Sequence, residues 1–116
     1  MKRLIVLLFA LSPFLLAQSF EKDTQYNCLN THTIKQGEKF EVKKEDALKK
    51  PLIFILKKDK LYTSRNMEFD FRMQRGGMLS YSNEDLMLLL TPGNILGIVP
   101  KKARGQLQLF FKCEKS

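Results

Sequence analysis

The chain predicts an all-β fold, a small antiparallel eight-stranded barrel or flattened sandwich with one disulfide tying its two ends. Three observations carry this expectation. Apolar and polar side chains alternate over short runs, most cleanly at Met67–Met73 and Gln106–Cys113, and a period of two marks a strand with one buried face. Turn signals separate these runs at roughly the spacing of a β-sandwich or barrel. Cys28 and Cys113, the only cysteines, lie near opposite ends of the part expected to fold. With 116 residues the chain has the size of one domain, which excludes a multidomain enzyme.

The first residues are set apart from this pattern. Met1-Lys2-Arg3 is a short cationic start, and Leu4–Leu16 is apolar apart from Ser12 and Pro13. Small residues at Ala17 and Ser19 supply a signal-peptidase site, so residues 1–19 read as a cleaved secretory leader and 20–116 as the mature domain. The apolar run falls short of the roughly 20 residues a membrane-crossing helix needs, so no stable span is expected after cleavage. Lys2 and Arg3 leave with the leader. Of 20 basic residues 18 then remain against 12 acidic ones, a charge of about +6. Export to the periplasm or beyond favours pairing of Cys28 with Cys113. Such a bond closes a loop over most of the mature chain, for which chain entropy gives roughly 4 to 5 kcal/mol.

The elements follow in order. Tyr26–Thr33 opens the sheet. Lys39–Val42 places Phe40 and Val42 in phase, and Glu41–Lys50 is expected to form one or two helical turns ended by Pro51. Leu52–Leu56 and Lys60–Thr63 are strands joined by a hairpin at Lys57-Lys58-Asp59-Lys60. In Met67–Met73, Met67, Phe69, Phe71 and Met73 should all face inward. Gly76-Gly77 breaks the chain before Met78–Ser82. Leu86–Leu90 does not alternate, so it is either covered on both faces or exposes a leucine ridge. Thr91-Pro92-Gly93-Asn94 has proline and glycine where a type II turn needs them. Ile95–Val99 follows, and in the last strand Leu107, Leu109, Phe111 and Cys113 share the inward face. Hairpin-length connections imply an up-and-down antiparallel order.

Residues able to do chemistry are few. His32 is the one imidazole and reads as a strand residue rather than a base. Glu45-Asp46 and Glu84-Asp85 fall in turns beside lysine or asparagine, where solvated turn chemistry accounts for them. Gly76-Gly77 lacks the lysine and helix start of a phosphate loop. A metal site at the cysteines would have only His32 to join it and no CxxC spacing. Methionines 67, 73, 78 and 87 read as packing residues rather than soft-metal ligands. The expectation is a binding protein without catalysis, metal or cofactor.

Basic residues are the more telling group. Seven of the fourteen mature lysines, Lys43, Lys44, Lys49, Lys50, Lys57, Lys58 and Lys60, fall in one stretch, and Lys101, Lys102 and Arg104 form a second cluster. Such groups hold anions, and for an exported protein these are lipopolysaccharide, phospholipid headgroups or host glycans rather than nucleic acid. The competing reading is a charged rim protecting strand edges.

With Tyr26-Asn27-Cys28 at the start, Cys113 at the end, Leu52–Leu56 turning into Lys60-Leu61-Tyr62, and Gly77-Met78-Leu79-Ser80-Tyr81 preceding Thr91-Pro92-Gly93, residues 26–113 resemble the C-type lysozyme inhibitors of Gram-negative periplasms. The resemblance implies a small exported eight-stranded barrel with its end strands tied by a disulfide. It implies a lysozyme or other muramidase as partner, entered by two loops, here Arg75–Tyr81 (Arg75, Gly76, Gly77, Met78, Ser80 and Tyr81) and the turn at Thr91, Pro92 and Gly93. Tyr81 matches the family's tyrosine. Gly77 stands at the position of its serine, Met78 at its glycine and Pro92 at its lysine, and the family's tryptophan is absent. Lysozymes are themselves basic, so a mature charge near +6 slows such an association. The alternative function is a surface module that binds anionic lipid or glycan through its lysine-rich loops.

Overall fold

A computed structural model describes residues 19–116. The expected leader, apart from Ser19, lies outside the described residues. Nine strands form one sheet: β1 (Thr24–Lys35), β2 (Glu38–Glu41), β3 (Leu52–Leu56), β4 (Lys60–Thr63), β5 (Glu68–Arg75), β6 (Met78–Ser82), β7 (Leu86–Thr91), β8 (Ile95–Pro100) and β9 (Leu107–Lys115). All neighbours are antiparallel, and pairing of β1 with β9 closes an eight-stranded barrel. The ninth strand is β2, which pairs with the far half of β1 while β3 pairs with its first half. A short helix, α1 (Lys44–Lys49), joins β2 to β3 and buries Ala47. It begins later than the expected Glu41 because β2 runs through Glu41 and the Val42 amide bonds to the Thr31 carbonyl at 3.0 Å.

Inward positions fill the barrel. Tyr26, Cys28, Phe54, Leu56, Leu61, Phe69, Tyr81, Leu88, Leu90, Leu96 and Cys113 are almost wholly buried. Phe20, the residue after the expected cleavage site, packs edge-on against Tyr26 at 4.9 Å and beside Phe54 at 5.9 Å, and so belongs to the core. Cys28 and Cys113 face each other directly in the β1–β9 register and are bonded across 85 positions of sequence. An interior cavity of about 20 Å³ between Leu61, Phe69, Leu88 and Ile98 has room for little more than a water molecule.

One strand corrects the sequence reading, and another decides between two alternatives that it left open. Met73 was expected inside with Phe69 and Phe71 but is 49% exposed. The register slips after Phe71, which faces Tyr81, so that Met73 faces Ser80 and Arg72 is the extra residue of a bulge. One added residue sends everything after it to the opposite face. In β7, Leu88 and Leu90 are buried while Met87 and Leu89 point outward, so the strand exposes one ridge instead of being covered on both sides. Beside that ridge, Gly97 leaves room for the Phe110 ring, 3.5 Å from where a Cβ would stand, and His32 stacks on the other side of Phe110 at 4.7 Å.

Candidate functional site

Because the strands run up and down, connections alternate between two ends of the barrel. The terminal end carries the first described residues, the C-terminus, the β3–β4 turn, the β5–β6 turn and the β7–β8 turn. The far end carries the β1–β2 hairpin, the β4–β5 and β6–β7 turns and the β8–β9 loop.

At the terminal end the two candidate inhibitory loops meet. Gly76 and Gly77 are the central residues of a two-residue hairpin turn, with Gly76 at φ 60°, as a type II′ turn requires. In the neighbouring turn Gly93 has φ 85° and Asn94 φ 58°, in keeping with the type II pattern of Pro92-Gly93. A Cβ on Gly77 would lie 2.9 Å from Pro92 Cγ, so only glycine lets the turns come this close. The Lys112 ammonium donates to the Gly93 carbonyl and fastens the second turn to β9. Arg75, Gly76, Gly77 and Pro92 are exposed, and Met78, Thr91 and Gly93 are half-buried. Ser80 and Tyr81 are buried in the barrel wall, away from this edge. The Tyr81 hydroxyl donates to the Lys57 carbonyl at 3.3 Å, and burial, with the Asp59 charge second, raises its pKa above the usual 10.0.

The basic residues do not form one surface. Lys43, Lys44, Lys49 and Lys50 lie on or beside α1, midway along the wall, with Lys49 near Asp46 at 3.9 Å. A groove of about 540 Å³ runs between this helix and β1 and β9, over Leu29, Val42 and Ala47, with Lys44 on its rim. Lys57 and Lys58 belong to the terminal end, where Lys57 pairs with Asp23 at 3.3 Å and Lys115 with Glu21. Lys60 lies between Glu68 and Asp70, whose hydrogen bonds raise its pKa, that from Glu68 first. Lys101, Lys102 and Arg104 sit at the far end in a 3₁₀ turn and the residue after it, and make no ion pair among the described residues. They are joined there by Lys35, which the sequence alone did not bring into the cluster. Its signal would have been the Gln36-Gly37 hairpin, which carries the end of β1 to this corner.

His32 donates to or accepts from the Thr31 hydroxyl at 3.0 Å beside the Phe110 ring, a packing position on the outer wall. Among the described residues no group of three or more His, Cys, Asp or Glu side chains converges as metal ligands would, and no helix is long and apolar enough to cross a membrane. Comparisons with protein-family models, with curated proteins and with solved structures each returned no match to this chain.

Proposed function

We propose that this is an exported, non-catalytic binding protein of the bacterial envelope that engages a C-type lysozyme or related muramidase through the terminal end of its barrel. The observation that carries the reading is the contact of Gly77 with Pro92, which makes one edge of two turns distant in sequence. A narrow, doubly braced edge suits insertion into an enzyme cleft, since a pre-ordered loop loses little entropy on binding. Arg75 is an exposed cation of the first turn, able to meet cleft carboxylates where the resembled family uses serine and lysine. The Lys57–Asp23 and Lys115–Glu21 pairs also soften, at this end, the repulsion that a net charge near +6 sets against a basic partner. The test is titration of purified protein into a cell-wall lysis assay with lysozymes of several types. Inhibition at about micromolar protein is expected, and unchanged lysis rates with all of them would remove the reading.

A second reading, a module for anionic lipid or glycan, is favoured at one place, the unpaired cationic corner of the far end.

A further inference from the structure

The β1–β2 hairpin and the β8–β9 loop are stitched together at the far end. The Gln36 amide donates to the Gln106 carbonyl at 2.8 Å, and Lys35 faces Leu107 across the β1–β9 ladder. Between them lies an open groove of about 380 Å³ whose charged lining residues, among the described residues, are Lys35, Lys102 and Arg104, with Gln36, Ala103, Gln106 and Leu107 completing the lining. We propose that this groove is a binding site for a phosphate- or sulfate-bearing saccharide. The proposal rests on the second reading above and is independent of the first.

Charge points to an anion. Three cations line the groove, and among the described residues no carboxylate lines it and none of the three forms an ion pair. Glu38 stands opposite Lys35 in the hairpin register, and Asp85 reaches the loop through its backbone carbonyl, which accepts from the Lys101 amide. Neither lines the groove. Like charges held together without counter-charges raise the local potential for a multivalent anion.

Shape points to a small ligand with tetrahedral charge. The groove is open, and its volume falls within the roughly 300 to 1,000 Å³ of small-molecule sites, enough for a single sugar unit. The Arg104 guanidinium presents a planar fork that matches phosphate or sulfate oxygens, while lysines act as point charges. Gln36 and Gln106 can serve sugar hydroxyls, and Leu107 offers an apolar face to a ring. The loop is already set: Pro100 precedes the 3₁₀ turn Lys101–Ala103, Arg104 is left-handed at φ 49° with its amide on the Lys101 carbonyl at 3.2 Å, and Gly105 follows at φ 83°. Little backbone ordering then remains for binding, and the cost that is left is that of the exposed Lys35, Lys102 and Arg104 side chains.

The experiment titrates glucose 6-phosphate, glucose 6-sulfate and glucose separately into the isotope-labelled protein and follows amide chemical shifts at about 0.01 M and about 0.1 M salt. Shifts at Lys35, Lys102, Arg104 and Gln106 with either charged sugar, weaker at the higher salt and absent with glucose, are expected, and the tighter of the two names the anion. Arg104→Asn keeps a residue that tolerates the left-handed backbone and should weaken binding about tenfold. Lys102→Gln gives the same comparison should the first variant fail to fold. Equal shifts from glucose, or affinity unchanged in these variants, would overturn the site. Shifts centred on Lys57 and Lys58 would overturn it while leaving the broader anion reading in place. No response to either charged sugar would remove both.

Discussion

Gly77 packs so closely against Pro92 that a Cβ at position 77 would lie 2.9 Å from the proline Cγ. The pyrrolidine ring cannot swing aside as a long flexible side chain would. Gly77→Ala therefore has to push the β5–β6 and β7–β8 turns apart, at an expected cost of about 1 kcal/mol, or roughly 4 to 8 °C in Tm for a domain this small. Pro92→Ala vacates the space, so the double variant should recover most of the loss. Thermal melts of the four proteins in a double-mutant cycle check this, and a purely additive result would mean the contact does not couple the turns.

Asn94, the last residue of the second turn, holds a left-handed backbone at φ 58°, and its buried side-chain oxygen has no hydrogen-bond partner. Asn94→Gly keeps the backbone and removes the orphan acceptor, so stability should stay within about 0.5 kcal/mol or rise. Asn94→Ala removes the same oxygen but meets the left-handed penalty of about 1 to 2 kcal/mol. Denaturant unfolding of the two variants separates the oxygen from the backbone.

The Cys28–Cys113 bond ties the first strand of the barrel to the last, and both residues are essentially buried, at 0% and 1% exposure. Reductant should leave the folded protein oxidised and act only where unfolding exposes the sulfurs. The Cys28→Ala/Cys113→Ala variant should lose about 2 to 5 kcal/mol. Thiol labelling with and without denaturant tests the first point, and the midpoint shift in urea the second.

Tyr81 makes stability depend on alkaline pH. Burial raises its folded pKa above the unfolded 10.0, so the folded state holds the phenolic proton longer than the unfolded state does. The resulting stabilisation is complete below that value and is lost as pH rises through the raised one. Lys60 and Lys115, raised by their carboxylate partners, lose their contributions in the same direction above 10.5. Tyr81→Phe should flatten the fall in Tm above about pH 10 while costing about 1 kcal/mol at neutral pH for the hydrogen bond to Lys57. An equally steep alkaline fall in the variant would assign the effect elsewhere.

The barrel was legible because its strands announce themselves locally. The inward phase of Leu107, Leu109, Phe111 and Cys113 predicts which way the last sulfur points, and the structure finds it bonded to Cys28. The bulge at Arg72 was not legible. An extra residue leaves no mark in the alternation of Phe69, Phe71 and Met73, and only its partner strand, with Tyr81 and Ser80, reveals the slip. The two turns could be found separately from Gly76-Gly77 and Pro92-Gly93, but their contact depends on β6 and β7 bringing them side by side. The cationic corner was half legible for the same reason. Lys101, Lys102 and Arg104 are neighbours in sequence, whereas Lys35 joins them only through the closure of β1 on β9.

The most direct test of the central claim is amide chemical-shift mapping of the labelled protein on addition of an unlabelled C-type lysozyme. Perturbations confined to Arg75–Met78 and Thr91–Asn94, and diminished in Arg75→Ala, are the predicted result. An unperturbed spectrum, or perturbations centred on the far end, would contradict it.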